Sequence, residues 1–263
     1  MTDNAIIITQ DDRGITTLTL NRADRHNAFD DVMIGELNQA LDSINDDNNV
    51  RMLILRAAGK SFSAGADLNW MRRMAEYDFQ QNHDDAMQLA RLMKTLNGMS
   101  KPVIGLIQGA SFGGGIGLVA CCDIVIASEK AKFCLSEVRL GLIPAVISPY
   151  VISAMGERAC RRYFLTAERF DANEAYRLGL VHQVVAEQEL DATLDQMIDQ
   201  LLVGGPAAQA AAKDLILNVS QREINSSVIE DTASRIAHVR ASDEGREGLN
   251  AFLQKRQPDW DKK

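Results

Sequence analysis

The chain contains no apolar stretch of the roughly 18 residues that a membrane-spanning helix requires. Its four cysteines have no C-x-x-C spacing, so neither a structural zinc site nor a disulfide framework is expected. Lysine and arginine number 28 against 36 acidic residues, and the net charge of -8 argues against nonspecific nucleic-acid binding. The polar start of the chain lacks the features of a signal or transit peptide. We therefore expect a cytoplasmic protein without membrane or nucleic-acid partners.

The composition that remains, 46% hydrophobic and 24% charged, is that of an ordinary globular protein. Predicted strands alternate with helices up to about residue 195, which favours an α/β architecture. Beyond that point strand signals disappear and helical patterns follow Pro206. We predict a core over 1–195 and a C-terminal helical region over 196–263 that packs on a neighbour, such as another subunit. The predicted strands are 5–9, 15–20, 50–56, 103–107, 124–127 and 132–135, and the predicted helices include 27–44, 68–74 and 84–99.

Two glycine-bearing turns each follow a predicted buried strand and lead into an apolar stretch of helical character. One runs from Ser61 to Leu68 and the other from Gly109 to Gly117. The start of a helix leaves N–H groups unpaired and carries partial positive charge, and small residues let a ligand approach the backbone. Two such turns can direct N–H groups at one oxygen atom. This arrangement predicts an oxyanion hole, in which each donor is worth about 3–4 kcal/mol of transition-state stabilisation.

The second turn also matches G-x-S-x-G, the nucleophile elbow of hydrolases, with Ser111 as nucleophile. Asp171 with His182 or His238 would complete a triad. No HGGG-type motif precedes Ser111, and a hydrolase would leave the first turn without a role. The G-x-G-x-x-A match that begins at Gly115 is weak evidence for a dinucleotide, since it starts several residues after the strand.

Glu137 is a candidate acid–base residue. It follows a short predicted strand and precedes the apolar run Leu140–Pro144, and apolar surroundings raise a carboxyl pKa toward the range useful near neutral pH. The alternative is a solvated glutamate at the end of a strand. Asp67, directly after the first turn, could instead cap a helix. The four histidines have no metal-ligand spacing, so no metal site is assigned.

Together these segments resemble the crotonase superfamily, the enoyl-CoA hydratase/isomerase family. The resemblance covers nearly the whole chain in order and places Ser111 inside the family's glycine-rich turn, which removes the hydrolase interpretation. The matching segments are Asn21–Ala28, Phe62–Leu68, Phe112–Gly115, Cys122–Asp123, Ser136–Glu137, Leu140–Pro144, Leu165–Ala167, Ala175 and Leu178–Val181.

The resemblance implies a spiral of repeated ββα units with a C-terminal helical region that builds homotrimers, often paired into hexamers. The ligand would be an acyl-coenzyme A, so coenzyme A arrives as part of the substrate and no separate cofactor is implied. The N–H groups of Ala66 and Gly114 match the oxyanion-hole donors, and Glu137 matches a catalytic glutamate. The resemblance also implies substrate or coenzyme contacts for Ala64, Asp67, Leu68, Arg25, Phe252 and Lys255.

One departure from the family pattern concerns the second catalytic carboxylate. Two-glutamate hydratases of the family carry a glutamate where this chain has Gly117. Isomerases of the family commonly work with a glutamate at the Glu137 position alone, because moving a double bond needs one base. One carboxylate can also serve hydration if it activates water and then delivers the proton.

A second departure is the run Pro144–Tyr150, where many hydratases are glycine-rich. With 65–72 and 159–170, this run resembles bacterial methylglutaconyl-CoA hydratase-like proteins of leucine and isoprenoid breakdown. We therefore predict a hydratase, a carbon–oxygen lyase, for a branched dicarboxylic enoyl-CoA such as 3-methylglutaconyl-CoA. The alternatives are a Δ3-Δ2 enoyl-CoA isomerase and a CoA-binding protein with little catalysis. A second substrate carboxylate could pair with Arg72, Arg73 or Arg139.

Overall fold

A computed structural model describes residues 4–220 and 222–261. Its mixed α/β architecture confirms the fold class expected from the sequence. The strands are β1 (Ile6–Gln10), β2 (Ile15–Leu20), β3 (Met52–Ala57), β4 (Ser61–Ser63), β5 (Val103–Ile107), β6 (Ala110–Phe112), β7 (Ile124–Ser128), β8 (Lys132–Cys134), β9 (Phe170–Asp171) and β10 (Gln183–Val185).

Helices follow most of these strands. Among those of the described residues, none combines the length and the apolar character needed to cross a membrane. The helices are α1 (Asp31–Asp46), α2 (Leu68–Met74), α3 (Phe79–Gly98), α4 (Gly114–Cys121), α5 (Ser148–Met155), α6 (Glu157–Thr166), α7 (Ala172–Arg177), α8 (Leu190–Leu202), α9 (Pro206–Val219), α10 (Ser226–Ala241) and α11 (Asp243–Gln254).

The larger sheet has the strand order β1-β2-β3-β5-β7-β10. β1 and β2 pair antiparallel, while every other neighbouring pair is parallel. Strands of a parallel sheet are covered on both faces and therefore consist of continuous apolar runs. β5 is buried along its whole length and β3 along most of it, which is why the sequence pattern predicted both.

The smaller sheet has the order β4-β6-β8-β9. β4, β6 and β8 run parallel, and β9 runs antiparallel to β8. The carboxyl ends of parallel strands meet at one edge of a sheet, where ligands of α/β folds commonly bind. The segments that follow β4, β6 and β8 therefore lie at one edge of this sheet. Because β9 runs antiparallel to β8, the segment that precedes β9 lies at the same edge.

Helix α1 begins later than the sequence pattern predicts, at Asp31 rather than at Asn27. The side chain of Asp30 accepts a hydrogen bond from the N–H of Met33 at 2.8 Å and so caps the first turn. Asn27 has a φ of 52°, and its buried side-chain amide donates to the Ala58 carbonyl. The predicted start was wrong because tertiary hydrogen bonds hold Asn27 outside the helix.

Helix α3 begins earlier than the prediction, at Phe79 rather than at Asp84. A capping box sets this start: the N–H of Gln81 donates to the Asp78 carboxylate, and the Gln81 side chain accepts from the Asp78 N–H. The apolar pattern missed the first turn because the four residues that follow Phe79 are polar.

The described chain divides into two compact units. The first consists of the residues up to Met99 together with Val103–Leu194, and it contains both sheets. The second consists of Ser100–Pro102 together with the residues from Asp195 onward. The chain passes from the first unit to the second within α8.

Helices are the only regular secondary structure in the described residues of the second unit. The carboxylate of Glu244 accepts hydrogen bonds from the N–H groups of Ala207 and Ala208 at the start of α9, and Trp260 donates to the Val203 carbonyl. Large apolar side chains nevertheless remain exposed on α9, α10 and α11. An oligomerisation role for this region stays a prediction, and the exposed residues that it would cover are Ile216, Leu217, Ile229, Ile236, Leu249, Phe252 and Leu253.

Candidate active site

The turn after β4 is held in place by the backbone of Phe29. The N–H of Phe29 donates to the Gly65 carbonyl at 2.7 Å, and the N–H of Asp67 donates to the Phe29 carbonyl at 2.6 Å. Gly65 has a φ of 94°, which L side chains rarely adopt. Between these bonds, the N–H of Ala66 has no acceptor in the described part of the chain. It is free to bind a ligand oxygen.

The turn after β6 presents a second unbonded donor. Gly113 has a φ of 51° and donates its N–H to the Cys134 carbonyl at 3.0 Å. Gly114 is the first residue of α4, so its N–H has no acceptor within the helix. No other acceptor for this N–H occurs in residues 4–220 or 222–261. The positive end of the α4 dipole adds to its attraction for a negative oxygen.

The two turns are packed directly against each other. A Cβ placed on Gly114 would lie 3.3 Å from the ring of Phe29, the residue that binds the first turn. A Cβ placed on Gly115 would lie 3.0 Å from the Cβ of Ser63. Sequence reasoning missed Phe29; the only signal was its position directly after the Asn21–Ala28 motif.

Glu137 follows β8 and begins a short 3-10 turn that ends at Leu140. A Cβ placed on Gly113 would lie 3.2 Å from Oε1 of Glu137, so the carboxylate lies beside the residue that precedes the Gly114 donor. Oε2 is buried and has no hydrogen-bond partner among the described residues. Burial raises the pKa of Glu137, and a hydrogen bond from its own N–H lowers it by a smaller amount. A buried carboxylate with one unused oxygen is suited to exchange a proton with a ligand.

Gly117 lies one helical turn after Gly114, and the space beside it is filled. A Cβ at this position would lie 2.3 Å from Cγ2 of Ile147 and 3.0 Å from Cε of Met93. Ile147 is buried with 2% of its surface exposed. Apolar side chains thus occupy the place that a second carboxylate would need, and the sequence pattern had given Ile147 no such role.

The predicted binding residues near the first turn lie close together. Asp67 caps α2 by accepting hydrogen bonds from the backbone of that helix, and its Oδ2 lies 3.7 Å from Nη1 of Arg25. The N–H of Ala64 donates to the His26 carbonyl, while Leu68 is 69% exposed. Phe252 and Lys255 lie in the second unit, at the end of α11.

The residues of the hydrolase alternative do not contact one another: the Ser111 hydroxyl has no hydrogen-bond partner among the described residues, and His238 bonds to the Ser234 carbonyl. Ser111 is fully buried. Asp171 caps α7 through the N–H of Glu174, and Nδ1 of His182 accepts from the N–H of Val125 at 3.0 Å. In the described part of the chain, neither Asp171 nor His182 forms a hydrogen bond with Ser111. Ser111 is therefore the buried middle residue of β6, and no described base contacts it to activate it as a nucleophile.

Fold and site together place two backbone N–H groups without acceptors in the described chain near one largely buried carboxylate. Comparison with known proteins gives the family. The sequence model of the enoyl-CoA hydratase/isomerase family matches residues 10–263. The chain therefore belongs to the enoyl-CoA hydratase/isomerase family, and it is an enzyme of the enoyl-CoA hydratase type.

Individual relatives match over almost their whole length. The crystal structure of an enoyl-CoA hydratase from Shewanella pealeana is 51% identical, has a TM-score of 0.95, and covers 97% of this chain and 96% of its own. The crotonyl-CoA hydratase of Syntrophomonas wolfei is 31% identical over 97% of each chain. The 2,3-dehydroadipyl-CoA hydratase of Escherichia coli is 29% identical over 97% of this chain and 98% of the relative.

Proposed function

We propose that this enzyme adds water across the α,β double bond of an acyl-CoA, with Glu137 as the acid–base residue. The Glu137 carboxylate accepts a proton from water as the water oxygen bonds to C3. The electron pair of the double bond moves toward the thioester, whose oxygen becomes negative. The N–H groups of Ala66 and Gly114 stabilise that oxygen. Glu137 then returns its proton to C2, which completes the hydration with no net gain or loss of protons.

One observation carries this proposal. Oε2 of Glu137 is buried without a partner in the described chain, and Oε1 lies next to the glycine turn that exposes the Gly114 donor. A buried polar atom without a hydrogen bond costs about 1–3 kcal/mol, and Oε2 differs from other such atoms in belonging to a carboxylate beside the turn that carries the Gly114 N–H. A water molecule between Glu137 and a bound enoyl group would satisfy this atom and be activated by it.

For the substrate, we propose a branched dicarboxylic enoyl-CoA such as 3-methylglutaconyl-CoA, an intermediate of leucine breakdown. The support is the resemblance of Pro144–Tyr150 and 159–170 to methylglutaconyl-CoA hydratase-like proteins. The relative from Escherichia coli named for 2,3-dehydroadipyl-CoA, a dicarboxylic acyl group, agrees with this substrate class. Arg25, Phe252 and Lys255 are proposed to contact the coenzyme, and a homotrimer or hexamer is the proposed assembly.

Turnover in heavy-oxygen water tests the proposal. The enzyme would be offered 3-methylglutaconyl-CoA, crotonyl-CoA and a 3-enoyl-CoA in parallel, with products analysed by mass spectrometry. We expect heavy oxygen in the product of 3-methylglutaconyl-CoA, with a higher kcat/KM than for crotonyl-CoA. Faster turnover of crotonyl-CoA would contradict the branched substrate.

The absent second carboxylate favours a second candidate function, Δ3-Δ2 isomerisation. Gly117 supplies no side chain, and Ile147 fills the space beside it. Moving a double bond needs one base to carry a proton between two carbons, which Glu137 alone can do. Conversion of the 3-enoyl-CoA to its 2-enoyl isomer without oxygen uptake would select this function over hydration.

The filled space beside Gly117 leads to a stability prediction. Gly117→Ala is expected to lower the free energy of unfolding by about 1–3 kcal/mol, because the new Cβ overlaps Ile147. In the double variant with Ile147→Gly, the side-chain atoms of Ile147 that the new Cβ overlaps are absent. The free energy of unfolding lost by the double variant should therefore be smaller than the sum of the two single losses, by about 0.5–3 kcal/mol. Urea unfolding of the four forms measures this coupling.

Gly35→Ala is the matched control. Gly35 lies inside α1, and a Cβ there would meet nothing within 4 Å. This variant should be stabilised by about 0.4–1 kcal/mol, because alanine restricts the unfolded chain. A gain of the same size for Gly117→Ala would mean that Ile147 does not occupy the space.

A further inference from the structure

The three arginines that the sequence offers for a second substrate carboxylate all have partners in the described chain, and only that of Arg73 is a carboxylate. Arg73 forms an ion pair with Asp31. Arg72 donates to the side-chain carbonyl of Asn69 at 2.7 Å. Arg72 and Arg139 both lack a carboxylate partner among the described residues, and Arg139 is the one that lies on the turn beginning with Glu137. The Nη2 atom of Arg139 donates to the Ala167 carbonyl at 2.6 Å, and the side chain belongs to an exposed residue.

Arg139 lies on the same 3-10 turn as Glu137. The carbonyl that holds it belongs to Ala167, which ends α6 in the left-handed conformation with a φ of 50°. The same carbonyl accepts a hydrogen bond from the thiol of Cys134 at 3.2 Å. Since the Cys134 backbone binds Gly113, a short chain of hydrogen bonds connects Arg139 to the glycine turn of the active site.

A second arginine without a carboxylate partner reaches the same edge of the smaller sheet. Arg169 directly precedes β9, which is antiparallel to β8, so it lies at the edge where β8 ends. Its guanidinium carbon is 5.4 Å from the ring centre of Phe112, the last residue of β6. Glu168, its neighbour in sequence, is already engaged by Arg162 through two hydrogen bonds.

The charges of Arg139 and Arg169 both act on the thiol of Cys134. Burial raises the pKa of the Cys134 thiol, the positive charges of Arg139 and Arg169 lower it, and the negative charge of Glu137 adds to the rise. Arg139 reaches the Ala167 carbonyl, which also accepts the Cys134 thiol, and Arg169 follows Ala167 by two residues. Among the described residues, Arg139 bonds a carbonyl and Arg169 lies over an aromatic ring, so neither is paired with a carboxylate, and planar guanidinium groups bind carboxylates through paired hydrogen bonds.

We propose that Arg139 and Arg169 bind the carboxylate at the far end of the substrate's acyl chain. This proposal rests on the proposed function, since it requires that an acyl-CoA be bound with its thioester oxygen between the two turns. The ligand class is an enoyl-CoA whose acyl chain ends in a carboxylate. Arg139 and Arg169 then select a dicarboxylic acyl group over an uncharged one of the same shape.

The test compares two substrates that differ in the distal group. Wild type, Arg139→Gln and Arg169→Gln would be assayed with 3-methylglutaconyl-CoA and with its distal methyl ester. For each variant, the ratio of kcat/KM for the acid to that for the ester should fall about 10- to 100-fold, the effect of losing a hydrogen bond to a charged group. Arg139→Lys should retain part of the ratio, because it keeps the charge but not the planar fork.

Arg158→Gln is the control, because Arg158 is exposed on α6 and has no carboxylate partner among the residues that the structure describes. Its ratio should equal that of wild type. A ratio unchanged in Arg139→Gln and Arg169→Gln would overturn the proposal. The proposal would also be overturned if kcat/KM fell equally for both substrates and light scattering showed a change of oligomer size. That result would assign the arginines to a subunit contact. If wild type itself hydrates neither substrate, the proposed function fails instead.

Discussion

Replacing Glu137 with glutamine is expected to lower kcat for hydration by about 10²- to 10⁴-fold, the usual contribution of a general acid–base residue. Glutamine keeps the size of the side chain but cannot accept a proton from water. The fold should be preserved, since the carboxylate that is removed is buried without a partner for Oε2 among the described residues. KM for the acyl-CoA should change little, because the backbone donors and the coenzyme contacts remain.

The pH dependence of kcat/KM for wild type and for Glu137→Gln provides a second test of this prediction. Water is activated by the charged form of Glu137, so kcat/KM of wild type should fall as the pH drops through its pKa. Because burial raises that pKa, the fall should occur above the ordinary glutamate value of about 4.3. This acid limb should be absent from the residual activity of Glu137→Gln.

Turnover by wild type and by Glu137→Gln also distinguishes an enzyme from a protein that only binds acyl-CoA. Full turnover by Glu137→Gln would refute the role of Glu137. Tight acyl-CoA binding by wild type, without turnover of any of the substrates offered, would favour the CoA-binding alternative. Glu129→Gln is a suitable control, because Glu129 follows β7 at the surface and has no place in the site.

Removing the Gly114 donor should have the other large effect. Gly114 is the first residue of α4, a position where proline is compatible with a helix and where its missing N–H breaks no helical bond. Gly114→Pro should therefore lower kcat by about 10²- to 10³-fold, as for loss of one oxyanion-hole donor. Steady-state kinetics with the preferred enoyl-CoA measures this loss.

Gly114→Ala is the matched control for that variant. Both substitutions add a Cβ at about the same place, 3.3 Å from the ring of Phe29, but alanine keeps the N–H. Any loss caused by crowding against Phe29 should appear in both variants. If the alanine variant were as impaired as the proline variant, the N–H of Gly114 would not be the group that matters.

The sequence by itself determined much of the architecture, for identifiable reasons. β2, β5 and α2 have the bounds that the pattern predicts, because local apolar runs and turn residues are sufficient to specify them. The two glycine turns were recognisable because small residues between a strand and a helix allow backbone conformations and close approaches that other residues do not, and Glu137 was recognisable from its position between a strand and an apolar run. Helix starts were less predictable where side-chain caps or distant hydrogen bonds set them, as for α1 and α3.

The tertiary structure alone decided how these pieces meet. Phe29 joins the two turns through its backbone and its ring, and Ile147 fills the space beside Gly117. The carbonyl of Ala167 holds Arg139, and Arg169 reaches the same sheet edge because β9 runs antiparallel to β8. Each of these contacts joins residues far apart in the chain. Local pattern carries no information about such pairs, because sheet order and packing determine which distant residues become neighbours.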